Sequence, residues 1–336
     1  MKLLVVGGAG YIGSHMAKWL VRQNHQVVVL DNFSTGFRDA VLYGRLVVGD
    51  LGDSSLLDAL FAESAFDAVL HFGAFSQVSE SLRLPALYYR NNVAHSINLL
   101  DAMVKYGVRY FIFSSTAAVF GDARRIPIDE CQPLLPINPY GRSKLMVEEM
   151  LADYEHAYGL RWAALRYFNA AGADPEGELG ECHIPETHLV PIVLQAASGR
   201  REIVRIFGDD YDTPDGTCVR DYIHVHDLCS AHALALSYLV EGGSSKAWNL
   251  GNGKGFSVKE IIEATRRVSG ANIPIQVSNR RPGDPAILVA DSSQAWQQLG
   301  WRPQFLDLET IIAHAWNWEL KMVRETRAFP SRWSAL

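Results

Sequence analysis

Short runs of large apolar residues alternate with amphipathic stretches along the first half of the chain. The apolar runs are four to five residues long and rich in Val, Leu, Ile and Phe, which is typical of strands buried on both faces. They predict strands at 2–6, 26–30, 45–48, 67–71 and 109–113, with helices at 10–22, 54–62 and 84–106. Because strands that alternate with helices form parallel sheets, the pattern predicts a doubly wound (Rossmann) α/β fold.

The pattern changes after residue 169. A long helix at 138–158 and a strand at 161–168 still continue the alternation, but 170–185 and 208–216 have the composition of long binding loops. Further elements follow as a helix at 225–240, a strand at 247–250, a helix at 257–268 and a basic loop at 279–284. We therefore predict two interleaved domains. Residues 1–169 with 219–250 form the Rossmann domain, and 170–218 with 251–336 form a smaller α/β substrate domain.

Composition and charge narrow the possible partners. Of the 336 residues, 48% are hydrophobic and 20% are charged, so the chain is too apolar to be disordered. The net charge is −6 and basic residues cluster only in pairs, which argues against nucleic acid. No apolar run reaches the ~18 to 20 residues of a membrane span, so we expect no membrane partner. The four cysteines lack metal-ligand or disulfide spacing, which predicts free thiols, no metal and a cytoplasmic location.

A glycine-rich turn follows the first predicted strand and opens the first helix. Gly7, Gly10 and Gly13 allow a tight turn, close approach to a pyrophosphate and close packing of helix on sheet. Asp31 ends the second strand, where a carboxylate binds a ribose diol, and no arginine precedes Arg38. The pattern favours NAD over NADP. Asp50, at the end of the third strand, is either a contact of the adenine end or a cap of the next helix.

A tyrosine and a lysine stand four residues apart at the start of the helix at 138–158. Tyr140 and Lys144 therefore share one helix face, and Thr116 or Ser115 at the end of the fifth strand offers a hydroxyl nearby. A free tyrosine has a pKa of about 10, and one cation at ~4 Å stabilises a phenolate by about 4 kcal/mol at an effective dielectric constant of 20. Lys144 together with a nicotinamide cation would bring the pKa of Tyr140 to about 7. Tyr140 could then act as a general base for a sugar or alcohol hydroxyl.

These residues resemble the extended short-chain dehydrogenase/reductase family, and most closely its UDP-galactose 4-epimerase group. The matching segments lie at 7–15, 31–32, 71–72, 79–81, 88–92, 113–116, 138–144, 166–169, 216–224 and 280–284. They follow the family's order over nearly the whole chain. The run from Asp215 to Val225 is specific to the epimerase group, whereas the glycine motif and the Tyr–Lys pair serve the whole superfamily.

The resemblance implies an NAD-dependent isomerase that inverts C4 of a UDP-hexose through a transient 4-keto sugar. It implies Tyr140, Lys144 and Thr116 as the catalytic residues, and no metal. The implied NAD contacts are Gly7, Gly10, Tyr11, Ile12, Gly13, Asp31, Asn32, Phe33, Ser34, Thr35, Gly36, Asp50, Leu51, Phe72, Gly73, Ala74, Phe75, Ser76, Asn91, Thr116, Tyr140, Lys144 and Phe168. The implied UDP-sugar contacts are Thr116, Tyr140, Asn169, His188, Arg205, Ile206, Phe207, Arg220, Arg281, Asp284 and Leu288, with Pro282 and Gly283 between them.

The sequence departs from the family at four positions. Some members have Lys in place of Ser76, Ser in place of Thr116 and Asn in place of His188, and side-chain bulk at the position of Leu288 is linked to acceptance of N-acetylated sugars. The departures leave N-acetylated and pentose sugars open as alternative substrates. The resemblance also implies a homodimer, through a face that includes the helices at 84–106 and 139–158.

Two other functions are alternatives to epimerisation. A nucleotide-sugar dehydratase or decarboxylase on the same fold is one; a dehydratase needs an acid and a base beside the hydroxyl residue, where this chain has Ala117 and Ala118. A catalytically silent NAD-binding protein is the other, and such a protein would lose the tyrosine or the lysine that this chain keeps.

Overall fold

A seven-stranded parallel sheet forms the larger part of the molecule. The computed structural model describes residues 1–281 and 284–328. The strands are β1 (Lys2–Val6), β2 (Gln26–Asp31), β3 (Arg45–Val48), β4 (Ala68–His71), β5 (Tyr110–Thr116), β6 (Arg161–Tyr167), β7 (Asn169–Ala171), β8 (Val204–Phe207), β9 (Val219–His224), β10 (Lys246–Leu250), β11 (Gly255–Ser257), β12 (Ile275–Ser278) and β13 (Ile287–Leu288). In the large sheet the order is β10-β6-β5-β4-β1-β2-β3, and all its pairs are parallel.

Helices cover both faces of this sheet. The helices of the chain are α1 (Tyr11–Arg22), α2 (Ser54–Glu63), α3 (Val78–Arg83), α4 (Pro85–Tyr88), α5 (His95–Lys105), α6 (Pro139–Tyr158), α7 (Leu189–Ala197), α8 (Val225–Val240), α9 (Val258–Ser269), α10 (Ser293–Gln298) and α11 (Leu308–Ala328). Apolar residues of α1 and α8 form a core on one face, and those of α2, α5 and α6 form a core on the other. The strand order reverses between β1 and β4, which confirms the prediction of a doubly wound sheet.

The predicted helix at 84–106 is interrupted in the structure. It is divided into α4, a π-helical turn over Tyr89–Ala94, and α5. Within that turn the buried Asn92 exchanges hydrogen bonds with the backbone of Phe75 and donates a third to Ser143 Oγ at 3.0 Å. The extra residue of the π turn lets the Asn92 amide reach both Phe75 and Ser143. The spacing of apolar residues does not reveal such an insertion.

The predicted fifth strand ends three residues too early. Strand β5 continues through Ser114, Ser115 and Thr116, because these residues still pair with Leu165, Arg166 and Tyr167 of β6. Their hydroxyl side chains do not resemble the apolar run that precedes them, although all three residues are buried. The extension brings Thr116 to the carboxyl edge of the sheet, where ligands bind in doubly wound folds.

A smaller region packs against the carboxyl edge of the large sheet. Its strands β7, β9, β11 and β13 form one mixed sheet, and β8 pairs with β12 in a two-stranded parallel sheet. Helices α7, α9 and α11 pack around a core that includes Val193, Ile261 and Ile311. The loops predicted at 170–185 and 208–216 are largely irregular in structure. Within residues 1–281 and 284–328, no helix combines the length and the apolar character that a membrane span requires.

The segment 219–250, which the predicted domain division places wholly in the Rossmann domain, contributes strands to two different sheets. Lys246–Leu250 pairs with β6 in the large sheet, whereas Val219–His224 pairs with β7, β11 and β13 in the smaller region. Ala295 and Trp301, which the division assigns to the substrate domain, pack in the core of the large sheet. We therefore propose a boundary that places 225–250 and 293–301 with the Rossmann domain. Of the substrate domain predicted to 336, residues 282–283 and 329–336 lie outside the described part of the chain.

Candidate active site

One cavity of about 1470 Å³ lies between the carboxyl edge of the large sheet and the smaller region. Most residues predicted from the sequence to bind NAD or sugar line it. At the end nearer the glycine turn these are Gly7, Gly10, Tyr11, Ile12, Gly13, Asp31, Asn32, Ser34, Thr35, Gly36, Asp50, Leu51, Phe72, Gly73, Ala74, Ser76 and Asn91. In the middle and at the other end they are Thr116, Tyr140, Lys144, Phe168, Asn169, His188, Arg205, Phe207, Arg220, Arg281, Asp284 and Leu288.

The glycine turn is packed so closely that side chains would collide. Gly7 has φ +76°, and a Cβ there would lie 2.4 Å from the backbone N of Gly73. A Cβ on Gly13 would lie 2.2 Å from the carbonyl oxygen of Gly7. Gly10 precedes α1 without a side-chain cap, so the first backbone N–H groups of that helix face the cavity. This cradle fits the pyrophosphate of a dinucleotide, because it offers N–H donors and the positive end of a helix dipole.

Carboxylates stand at the ends of β2 and β3. Asp31 is buried and accepts hydrogen bonds from the N–H groups of Ala9 and Phe33, each at 2.8 Å, which leaves further lone pairs for a ribose diol. Asp50 accepts hydrogen bonds from Asn32 Nδ2 at 2.5 Å and from the N–H of Gly52 at 2.6 Å. Asp50 does not cap the next helix, because Asp53 holds the N-cap of α2.

Three residues predicted as contacts do not line the cavity. Phe33 has φ +58° and packs its ring under the Arg38 guanidinium, 4.9 Å from the ring centroid. The ring of Phe75 packs near that of Tyr88. Ile206 is 1% exposed in the core of the smaller region, because side chains alternate along β8 and its neighbours Arg205 and Phe207 take the cavity side.

The predicted catalytic side chains meet in the middle of the cavity. Tyr140, near the start of α6, lies beside the hydroxyl of Thr116 at the end of β5. Lys144 is 3% exposed, and its Nζ donates to the carbonyl oxygen of Ser114 at 2.7 Å. Asn138 caps α6 by accepting from the N–H of Gly141 at 2.8 Å, which fixes the turn that carries Tyr140.

Ser115 lies on the opposite face of β5 from the cavity. Its hydroxyl donates to Glu148 Oε1 at 2.5 Å, and Glu148 forms a buried ion pair with Arg166, whose Nε lies 3.0 Å from the same oxygen. Since side chains alternate along a strand, Ser114 and Thr116 face the cavity and Ser115 does not. The structure therefore favours Thr116 over Ser115 as the hydroxyl beside Tyr140.

The pKa of Tyr140 differs from the value near neutrality that the sequence argument predicts. Burial raises the pKa of Tyr140 above its ordinary value of 10, and the hydrogen bond from Thr116 offsets only part of that effect. Burial also lowers the pKa of Lys144 to about 7, against the opposing effect of Glu148. The sequence argument assumed a lysine that is fully charged, whereas a buried ammonium loses much of its hydration. The chain's own groups therefore do not ionise Tyr140 at neutral pH.

At the other end of the cavity, side chains from distant segments form pairs. Arg220 on β9 forms an ion pair with Asp284, 64 residues further along the chain. The Arg281 guanidinium lies 3.9 Å from the centroid of the Phe207 ring. Two guanidinium groups in one pocket suit a diphosphate, since each offers forked donors to phosphate oxygens. Pro282 and Gly283, which the resemblance includes in this segment, lie outside the described residues.

The sequence analysis missed several residues of the cavity wall. Ser114 and Tyr167 line it and hydrogen-bond to each other, and Ala117 and Ala118 present methyl groups beside Thr116. A further group at this wall comprises Glu181, His183 and Glu186, next to the predicted His188. The signal for that group was the spacing Glu-x-His-x-x-Glu-x-His within 181–188.

Comparisons with known proteins agree with this geometry. The family model described as GDP-mannose 4,6 dehydratase matches residues 4–314. The UDP-glucose 4-epimerase of Halalkalibacterium halodurans is 53% identical over 318 residues, which is 95% of each chain. Two UDP-glucose 4-epimerase crystal structures are also similar. That of Brucella ovis in complex with NAD is 51% identical, with a TM-score of 0.92 over 94% of this chain and 97% of that one. That of Stenotrophomonas maltophila, with bound NAD and formylated UDP-arabinopyranose, is 41% identical, with a TM-score of 0.93 over 96% and 99%.

Proposed function

Because the chain belongs to the extended short-chain dehydrogenase/reductase family, among relatives that are UDP-glucose 4-epimerases, we propose that it epimerises UDP-hexoses at C4 with NAD as a bound cofactor. The reaction interconverts UDP-glucose and UDP-galactose through a transient 4-keto sugar. One observation carries the assignment: Tyr140 and Thr116 meet midway along a single cavity, between the glycine cradle and the arginine pairs.

The chain's own residues hold the substrate and move one proton. Thr116 binds the sugar 4-oxygen, and Tyr140 Oη takes the 4-hydroxyl proton and returns it to the inverted centre. Lys144, one helical turn after this tyrosine, is fixed on the Ser114 carbonyl and stabilises the phenolate when it is protonated. Arg220 and Arg281 bind the diphosphate, so that the sugar can turn while its anchor stays fixed.

The cofactor end of the cavity holds NAD. Gly7, Gly10 and Gly13 leave room for the pyrophosphate, and Asp31 accepts from the ribose hydroxyls. When bound, NAD would supply the hydride acceptor for C4 of the sugar, and its positive ring would favour the phenolate form of Tyr140. Burial raises the pKa of Tyr140, and Lys144 alone does not offset this rise. The positive charge of the nicotinamide ring would supply the remaining stabilisation of the phenolate.

The structure argues against the two alternative functions, a dehydratase and a silent NAD-binding protein. The matched family model carries the name of a dehydratase, but elimination of water needs an acid and a base where Ala117 and Ala118 line this cavity with methyl groups. A silent NAD-binding protein is disfavoured by the contact of Tyr140 with Thr116. UDP-N-acetylhexosamines and UDP-pentoses remain alternative substrates for the same site, with Leu288 and His188 at its wall.

The test is incubation of the purified protein, without added cofactor, with a panel of UDP-sugars. We expect UDP-glucose and UDP-galactose to interconvert, as followed by NMR, because retained NAD is restored in each cycle. Conversion of an acetylated or pentose sugar alone would shift the assignment within the family. No conversion of any sugar by protein that contains NAD would contradict it.

We also propose a cytoplasmic homodimer. All four cysteines are free, as in a reducing compartment. Ile97 on α5 is 38% exposed and Met146 on α6 is 40% exposed, on neighbouring helices, and such apolar side chains suit a dimer interface. Light scattering should give twice the chain mass of 37.3 kDa. Met146→Asp should shift the mass to that of one chain, and a monomeric wild type would contradict the proposal.

A further inference from the structure

Four side chains of two metal-binding types converge at the wall of the cavity, in the segment that leads into α7. Glu181, His183, Glu186 and His188 each bring one candidate ligand atom, and these four atoms all lie within 4.8 Å of one another. The side chains of Glu181 and Glu186 are 6% and 4% exposed. Two buried carboxylates need positive charge beside them, which either protonated imidazoles or a bound cation can supply.

The spacing of the ligand atoms suits a tetrahedral cation. His183 Nδ1 lies 3.1 Å from Glu181 Oε1 and 3.8 Å from Glu186 Oε2. His188 Nδ1 lies 2.5 Å from Glu181 Oε1 and 3.7 Å from Glu186 Oε1. Four ligands at roughly 2.0 to 2.2 Å from a Zn²⁺ ion are about 3.4 Å apart in a tetrahedron. The observed distances lie on both sides of that value, and the 2.5 Å contact of His188 with Glu181 must open before both atoms can bind one ion.

Hydrogen bonding leaves one of the ligand atoms unsatisfied. His183 Nδ1 is buried, and although Glu181 is near, it makes no hydrogen bond. The two imidazole rings lie 5.3 Å apart, so two imidazolium ions here would repel each other. A single divalent cation would satisfy both Nδ1 atoms and both carboxylates at once.

Outer contacts hold these ligands in place. Glu186 Oε1 accepts from the N–H groups of Thr187 at 2.8 Å and His188 at 2.9 Å, which fixes its carboxylate and leaves Oε2 toward His183. The backbone oxygen of Glu181 accepts from Trp318 Nε1 at 3.0 Å. Such contacts orient ligands and strengthen metal binding.

A second acidic group nearby does not share these properties. Asp174, Glu176 and Glu178 surround Lys18 Nζ at 2.6, 3.0 and 2.8 Å, so an ammonium already occupies the place that a metal ion would take, and Arg22 also pairs with Glu176. This acidic group is therefore a control for metal binding by Glu181, His183, Glu186 and His188.

We propose that Glu181, His183, Glu186 and His188 form a site for one divalent cation of the Zn²⁺ class at the sugar end of the cavity. Imidazole and carboxylate ligands in a four-coordinate arrangement suit this class better than Mg²⁺, which prefers six oxygen ligands. The expectation of no metal rests on cysteine spacing and on the family resemblance, and neither draws on these four residues. The proposal is independent of the epimerase assignment, which requires no metal.

The test measures binding of Zn²⁺ to the untagged holoenzyme after treatment with a chelator. Calorimetry and elemental analysis after desalting should give one Zn²⁺ per chain, with no comparable binding of Mg²⁺. His183→Gln and Glu186→Gln should each weaken Zn²⁺ binding at least about tenfold. The matched controls His156→Gln, on the exposed end of α6, and Glu178→Gln, beside Lys18, should bind as the wild type does.

A measurement on the wild type alone covers the case in which these variants fail to fold. Co²⁺ in place of Zn²⁺ should give the intense visible absorption of a four-coordinate site. Weak absorption typical of six-coordinate Co²⁺, no retained Zn²⁺, or equal Zn²⁺ binding by His183→Gln, Glu186→Gln and the controls would each overturn the proposal.

Discussion

The two ends of the cavity are built in different ways. At the cofactor end, the glycine turn presents backbone atoms, and side chains at Gly7 and Gly13 would overlap the backbone of Gly73 and of Gly7. At the sugar end, side chains from distant segments form the surface, as in the pair of Arg220 with Asp284. A backbone surface tolerates little change, whereas a side-chain surface can vary without altering the fold. Cofactor retention is therefore fixed by the fold, and substrate choice is open to substitution.

The largest expected effect on activity is at Tyr140, where the cofactor end and the sugar end of the cavity meet. Tyr140→Phe should lower kcat by ~10²- to 10⁴-fold, because the variant lacks the group that moves the proton. NAD content and UDP binding should remain, since the substitution alters neither end of the cavity. The absorbance of released cofactor measures NAD content, and calorimetry measures UDP binding. Tyr88→Phe is the matched control, because its ring lies 6.5 Å from that of Tyr140 and its hydroxyl bonds only to Gln77 and Glu80. Equal losses in both variants would remove Tyr140 from the chemistry.

A substitution at the cofactor end should damage the fold itself. Gly13→Ala places a Cβ 2.2 Å from the carbonyl oxygen of Gly7, which we expect to cost about 3 kcal/mol of unfolding free energy and most of the bound NAD. Gly10→Ala is the comparison, since its Cβ would lie 3.3 Å from the same oxygen and should cost about 1 kcal/mol. Denaturant unfolding measures both costs. If Gly13→Ala is as stable as the wild type, the cofactor end is less rigid than described.

Lys144 should make stability depend on pH. Its folded pKa of about 7 lies below the ordinary lysine value of about 10.4, so between these values the unfolded chain holds a proton that the native protein lacks. Stability from this group therefore rises with pH from about 7 to 10, by about 1.4 kcal/mol per pH unit, and levels off outside that range. The difference in unfolding free energy between wild type and Lys144→Met isolates this slope. A constant difference over pH 7 to 10 would show that Lys144 titrates normally.

A change at the sugar end should alter substrate binding alone. Arg281→Lys loses the forked donor and the contact with the Phe207 ring, and we expect KM for UDP-glucose to rise about tenfold with little change in kcat or stability. Arg280→Lys is the matched control, because Arg280 contacts Asp210 and Tyr211 and does not line the cavity. Equal KM values for the two variants would place the diphosphate elsewhere.

The smallest effect is expected at Leu288. Leu288→Gly should raise the ratio of activity on UDP-N-acetylhexosamines to activity on UDP-glucose several-fold, since removing about four carbons from the wall makes room for an acetyl group. Chromatography of both reactions gives the ratio. An unchanged ratio would show that bulk at this position does not control the pocket.

Much of the cofactor end could be predicted from the sequence because its signals are local. Three glycines within seven residues and Asp31 at a strand end specify the turn before any long-range contact is known. The π turn was missed because one inserted residue leaves the apolar period almost unchanged, and Ile206 was misplaced because the resemblance carried over a segment without its strand alternation.

The electrostatics of the site could not be predicted in the same way. The pKa values of Tyr140 and Lys144 depend on burial, which arises only when α6 packs against β5. The group at Glu181 and His183 was likewise overlooked, because its four side chains approach each other only in the folded loop.

The alternation along β5 sets a strict limit on insertions and deletions. Loss of one residue within β5, before Ser114, would shift the rest of the strand by one position against β6 and exchange its two faces. Thr116 would then point toward the buried Glu148–Arg166 pair, and Tyr140 would face a side chain from the other face of the strand. Length variation in this enzyme can therefore accumulate in its loops but not in this strand.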